Sequence, residues 1–257
     1  MALMAAHGEI KPMPDAAIFA DTGWEPKAVY EQLEWLMSPN TLPFPVHVTS
    51  KGSTIQDDLI EGGLHGKRRF AAVPFFVRNP DGSQGRGPRQ CTKEYKVYPL
   101  RDKAKELLDA PEGKRIPPGS IESWIGISTD EAVRMKPSTV KYMVNRWPLI
   151  EQRMSRWDCL NWLERNGYPA PPKSSCIGCP FHSNTHWRHM KHDDPEAWGA
   201  AVEMDRKIRS KGTMKGMRGA QYIHRSLVPL DKVDLRSHLE RGQPDLFGEE
   251  CEGMCGV

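Results

Sequence analysis

The chain has 257 residues, 38% hydrophobic and 27% charged, with 36 Lys and Arg against 33 Asp and Glu for a net charge of +3. No apolar run approaches the ~20 residues of a membrane span, and Met1–His7 is too short and lacks the cationic start of a signal peptide, so no membrane partner and a cytoplasmic location are expected. This length suits one substantial core, and six cysteines outside any regular framework read as metal or catalytic thiols in a reducing compartment.

In chain order, residues 1–8 read as the tail of a helix ended by Gly8. Ala16–Ala20 is a short apolar run suited to a buried parallel strand, and Asp21, Thr22 and Gly23 form the turn that follows. Pro26 opens a helix in which Val29, Leu33, Leu36 and Met37 recur at helical spacing. Pro45–Thr49 reads as a second strand and Thr54–Glu61 as a short helix. The apolar run Phe70–Val77 has no assigned element, and Arg78–Arg89 reads as a glycine-rich basic loop. Lys93–Leu108 is expected to be mostly helical despite Pro99, and Glu122–Ile127 is a third strand. Ser128 through Glu131 has the spacing of a capping box.

The second half reads as more helical. Ser155 through Asp158 is another capping-box pattern, opening a helix that stops at Asn166-Gly167. Helices are expected over Ser183–Lys191 and Pro195–Arg209, with a short one inside Val228–Leu239. Between Arg206 and Pro229 the chain carries Arg206, Lys207, Arg209, Lys211, Lys215, Arg218 and Arg225 with no acid among them, a pattern that suits either a phosphate-bearing ligand or a solvated face. Strands separated by helices of these lengths imply right-handed crossovers and a parallel sheet covered on both faces.

The stretch carrying the most chemistry is Cys176-Ile177-Gly178-Cys179-Pro180. Two cysteines two residues apart in a loop closed by proline suit a soft metal centre or a redox dithiol. Zinc held by Cys176, Cys179, His182 and His186 is one alternative. Against a finger-type site, only two residues separate Cys179 from His182.

Four stretches, in order, resemble the phosphoadenosine phosphosulfate (PAPS) reductase family of the adenine nucleotide alpha-hydrolase group. They are Ala20-Asp21-Thr22-Gly23-Trp24-Glu25-Pro26 after a strand, the Cys91 segment running on through Lys96-Val97-Tyr98-Pro99-Leu100, Trp147-Pro148-Leu149-Ile150 before a helix, and the Cys176 and Cys179 pair. The resemblance spans most of the chain from about Asp15 onward. It implies a doubly wound, Rossmann-like parallel α/β domain over 1–241 with a helical C-terminal half, followed by a flexible cysteine-containing tail over 242–257.

By that resemblance, Asp21, Thr22 and Gly23 contact the adenosine part of a nucleotide; Lys96, and Arg218 from the basic segment, are further candidates for binding it. Cys91, Cys176 and Cys179 belong to a 4Fe-4S ligand set. Gln90 stands where a tandem cysteine is expected, so Cys159 is the candidate fourth ligand; its alternative is a small buried residue beside Leu160 and Leu163. Cys251 or Cys255 is the implied nucleophile that attacks a sulfate sulfur, leaving a thiosulfonate that a thioredoxin-like dithiol resolves.

Members of the group open with a strand and a glycine-rich, serine-containing loop that cradles phosphate. This chain opens inside the helix expected after that loop, so the domain is expected to lack it. The implied activity is thiol-dependent reduction of an adenylyl sulfate, with adenylyl sulfate or ATP as ligand. Two alternatives stay open: iron-sulfur thiolation of a nucleic acid, and a non-catalytic nucleotide- or nucleic-acid-binding module.

Overall fold

The computed structural model describes residues 1–61, 73–110, 113–210, 219–236 and 240. The chain is mixed α/β, and its described strands fall into three small sheets. It divides into two compact units, one made of Met1–Phe19, Ala28–Thr49 and Pro99–Lys173, the other of Ala20–Lys27, Ser50–Tyr98 and Ser174–Val257.

The first unit opens with α1 (Ala2–Ala6), which Gly8 follows at φ +75, as the sequence predicts. Strand β1 (Ala17–Asp21) carries the chain out of this unit after Phe19, and α2 (Lys27–Met37) brings it back with Val29 and Leu33 buried one turn apart. Strand β2 (Val46–Ser50) shares a sheet with β1. Farther on, β5 (Ile121–Trp124) and β6 (Met143–Arg146) pair in parallel, Ile121 opposite Met143. Strand β6 and the short helix α5 (Pro148–Glu151), whose first residue is proline, have no counterpart in the sequence expectations.

Helix α6 (Arg156–Arg165) has the capping box its sequence announces. Ser155 Oγ accepts from the Asp158 N–H at 3.1 Å, and the Ser155 N–H donates to Asp158 Oδ2 at 2.9 Å. The box expected at Ser128 does not form. There the Ser128 hydroxyl donates to Asp130 Oδ2, and a 3₁₀ turn over Thr129–Arg134 stands without a side-chain cap. The core of this unit gathers Leu3, Met4, Ile10, Phe44, Leu149 and Trp162, with the Trp162 indole N–H donating to Glu9 Oε2 at 2.8 Å.

In the second unit, α3 (Ile55–Glu61) follows the turn after β1, and β3 (Phe76–Arg78) lies at the centre of an antiparallel sheet ordered β4-β3-β7. β4 (Gln84–Arg86) falls within the segment expected to be a loop, and β7 (Ala220–Tyr222) closes the other edge. The hairpin forms because Asn79, Asp81 and Gly82 make its turn, the Asn79 N–H donating to the Ser83 carbonyl at 2.9 Å and Gly82 taking φ +82. Helices α7 (Asn184–Asp193) and α8 (Pro195–Ser210) complete the unit, and a 3₁₀ turn at Leu230–Lys232 stands where a short helix was expected. Trp24, Phe75, Tyr95, Trp187, Met204 and Ile223 form its core.

The expected helix over Lys93–Leu108 is two elements. A π-helical turn spans Lys93–Val97, and α4 (Tyr98–Leu107) begins where it ends, carrying the chain into the first unit. Pro99 explains the change of pitch: it has no N–H to close an α turn on the Tyr95 carbonyl, and in the first turn of a new helix that loss costs nothing.

Candidate functional site

The site grows from the turn that ends β1. The Gly23 N–H donates to Asp21 Oδ1 at 2.7 Å, and Gly23 takes φ +68, a left-handed conformation costly for residues with a side chain. Space forbids a larger residue as well, since a Cβ there would lie 2.4 Å from Thr54 Cγ2. The Thr22 carbonyl accepts from the Ile55 N–H at 3.1 Å, tying the turn to the start of α3. This tight turn points Thr22 and Glu25 inward, Thr22 fully buried and the Glu25 side chain wholly enclosed.

Glu25 is the hub. Its Oε1 accepts from Thr22 Oγ1 at 3.0 Å, lies 3.6 Å from Cys176 Sγ and pairs with Lys96 Nζ at 3.5 Å. Thr22 Oγ1 is itself 3.4 Å from Cys176 Sγ. A buried carboxylate is tolerable only with such partners, because desolvation otherwise drives it to the neutral form. Lys96 reaches it from the π-helical turn, whose Tyr95 is buried and donates its hydroxyl to Asp58 Oδ2, with Lys51 donating to the same oxygen at 3.0 Å.

The cysteine loop docks on the same turn. The Ile177 N–H donates to the Trp24 carbonyl at 2.8 Å, the Cys179 N–H to the Cys176 carbonyl at 3.0 Å, and His182 Nε2 contacts that same carbonyl at 3.0 Å. His182 stacks on His186 with ring centroids 4.0 Å apart and meets Trp187 edge-on, so both rings are built into the packing of α7. Beside the loop opens a pocket. Cys91, Cys176, Cys179 and Lys96 line it together with apolar walls from Ile55, Val73 and Pro74. Burial and then the Glu25 carboxylate push the Cys176 thiol up to about 12, against the pull of Lys96, and burial raises Cys91 as well.

Of the residues singled out from the sequence, Thr22, Lys96, Cys91, Cys176 and Cys179 come together, while Asp21 and Gly23 shape the turn beneath them. Cys159 sits on α6 in the first unit, packed against that unit's core, its thiol raised by burial. Arg218, Cys251 and Cys255 lie outside the described residues. The sequence assigns no individual role to Glu25, Trp24, Ser175, Arg89 or Phe181, although Trp24 and Glu25 stand in the stretch after the first strand. An acid immediately before Pro26 in a strand-ending turn was the one visible sign of the hub.

Among the described residues no three His, Cys, Asp or Glu side chains converge as a ready site for a metal ion, and no helix is long and apolar enough to cross a membrane. Compared with models of protein families, with curated proteins and with solved structures, the chain matches none.

Proposed function

We propose that this chain is a PAPS-reductase-like enzyme of doubly wound α/β type that acts on sulfur carried by an adenine nucleotide. The observation that carries the reading is the meeting, at the end of β1, of three stretches far apart in sequence: Cys91, Lys96, Cys176 and Cys179 line one pocket, and Thr22 contacts Cys176. Ligands of open α/β sheets bind at such carboxyl strand ends.

The group we propose for this pocket is a 4Fe-4S cluster, with zinc as the alternative, because three soft thiols, Cys91, Cys176 and Cys179, line it together. Cys91, Cys176 and Cys179 would hold it. When bound, such a cluster would tune the electrostatics of the pocket through its iron and sulfide core.

In the reaction the chain's own groups position and balance charge. Thr22 and Glu25 fix the Cys176 side chain, and Lys96, held by Glu25, points cationic charge toward the pocket. A thiolate from the tail, at Cys251 or Cys255, attacks the sulfate sulfur. A sulfur–sulfur bond forms, the bond to the nucleotide phosphate oxygen breaks, and the adenosine phosphate leaves. A thioredoxin-like dithiol then reduces the thiosulfonate, giving up two electrons to become a disulfide and releasing sulfite and the free thiol.

The test is sulfite release from labelled adenylyl sulfate by anaerobically prepared protein with a reduced dithiol. Turnover lost in both Cys251→Ser and Cys255→Ser together supports the reading. No sulfite under these conditions rejects it.

A further inference from the structure

Two buried donors in the pocket have no acceptor. Trp24 is 4% exposed and Ser175 2%, both line the cavity, and neither the indole Nε1–H nor the Ser175 hydroxyl meets a partner among the described residues. Buried polar groups are almost always hydrogen-bonded, so two exceptions in one cavity call for an acceptor from outside the chain. The apolar walls from Ile55, Val73 and Pro74 offer none.

Charge adds a separate argument. Lys96 is balanced by Glu25, but Arg89, which also lines the pocket, and Arg86 on β4 make no ion pair among the described residues. Their guanidinium carbons sit 5.4 and 5.3 Å from the centre of the Phe181 ring, and Phe181 too lines the pocket. A guanidinium held over an aromatic ring can still donate its N–H groups to an anion. An indole N–H and a guanidinium can only donate, so the matching ligand carries negative charge and acceptors on several sides.

We propose that this pocket binds a tetrahedral oxyanion, whose oxygens accept from Trp24 Nε1–H and Ser175 Oγ–H, with Arg89 supplying the compensating charge. The inference rests on the function proposed above in that the sulfuryl end of an adenylyl sulfate is such a group; free sulfate, thiosulfate and phosphate share its chemistry.

The experiment is isothermal titration calorimetry of the anaerobically isolated full chain with sulfate, thiosulfate, phosphate, acetate and adenylyl sulfate, at constant ionic strength set by chloride. Saturable binding of at least one tetrahedral anion is expected, with acetate weaker. Because a hydrogen bond to a charged ligand is at stake, Ser175→Ala and the shape-preserving Trp24→Phe should each weaken binding about tenfold or more. Arg89→Gln, at the pocket rim, should do the same, with thermal melts showing each variant folded. Competition by sulfate against adenylyl sulfate assigns the site to the nucleotide's sulfuryl end; competition by phosphate alone assigns it to a phosphate.

Absence of heat with every tetrahedral anion, acetate binding as tightly, or unchanged affinity in folded Ser175→Ala and Arg89→Gln proteins would overturn the proposal. Anion binding without sulfite release leaves it standing and removes only the reductase reading.

Discussion

The Trp24 ring abuts Gly178, so close that a Cβ built on the glycine would come 2.0 Å from the ring. The contact joins the turn after β1 to the cysteine loop, beside the hydrogen bond from the Ile177 N–H to the Trp24 carbonyl. A methyl group at Gly178 must push the indole or the loop aside, and overpacking of this kind costs about 1–3 kcal/mol. Gly178→Ala should therefore lower the denaturant midpoint and speed alkylation of Cys176 and Cys179. Gly199→Ala is the control: nothing lies within 4 Å of its Cβ position on α8, and helix propensity should raise stability by about 0.5–1 kcal/mol. Equal responses from the two variants would show that the Trp24 contact is loose.

The π-helical turn that supplies Lys96 is anchored by Tyr95 and Asp58, and this anchor makes a pH prediction. Burial works against ionisation of Asp58, but hydrogen bonds from Tyr95, Lys51 and Ser53 outweigh it and hold the carboxyl below its usual range. Burial and then the bond to Asp58 raise Tyr95, so its hydroxyl stays a donor. A carboxyl whose folded pKa is depressed contributes stability that is fully present above its unfolded value near about 3.9. That stability is lost as pH falls through the lower folded value. Acid denaturation followed by circular dichroism should show this component below about pH 4, and Asp58→Asn should remove it while lowering stability at neutral pH. Tyr95→Phe should cost about 1–3 kcal/mol, because a buried carboxylate loses a donor. An unchanged acid limb in Asp58→Asn would deny the group that role.

How much of this could be read beforehand follows the range of the interactions. The capping box at Ser155, the stop at Asn166-Gly167 and the strand before Asp21 were legible because their determinants lie within a few residues. The Ser128 box was not: its hydroxyl found Asp130, a competitor one residue nearer than Glu131. Strand β4 escaped notice because Gln84, Gly85 and Arg86 have no apolar alternation, and the partner that makes them a strand is β3. In the site, thiols and lysine announce themselves by type. Glu25 and Ser175 did not, since their importance arises only when Lys96 and Cys176 are folded against one and a pocket opens beside the other.

The cysteines divide by unit, and so should the effects of replacing them. Cys91, Cys176 and Cys179 line one pocket, whereas Cys159 packs with Leu163 and Tyr168 against the other unit's core. Anaerobically purified protein should be brown and contain iron and sulfide. Cys91→Ser, Cys176→Ser and Cys179→Ser should each bleach it, and Cys159→Ser should leave the spectrum unchanged. Bleaching by Cys159→Ser would restore that residue to the ligand set, and stoichiometric zinc without iron or sulfide would sink the cluster assignment.

A third buried carboxylate, Asp205, ties together other elements of the second unit. Its Oδ1 accepts from the Ile223 N–H and its Oδ2 from the Leu230 N–H, each at 2.9 Å, and Arg209 donates to Oδ2 from one turn along α8. One side chain thus closes α8 onto the residue after β7 and onto the 3₁₀ turn at Leu230, satisfying N–H groups that no strand or helix reaches. Asp205→Ala would leave both N–H groups buried without an acceptor, at about 1–3 kcal/mol each. Asp205→Asn keeps one acceptor but turns an amide donor toward the other N–H or toward Arg209. Amide hydrogen exchange should resolve the two variants: Ile223 and Leu230 should both lose protection in Asp205→Ala, and one of them should keep it in Asp205→Asn. If both amides stayed protected in Asp205→Ala, the sheet edge and turn would be held by packing of Ile223 and Leu230 alone, and the carboxylate would have no part in closing the unit.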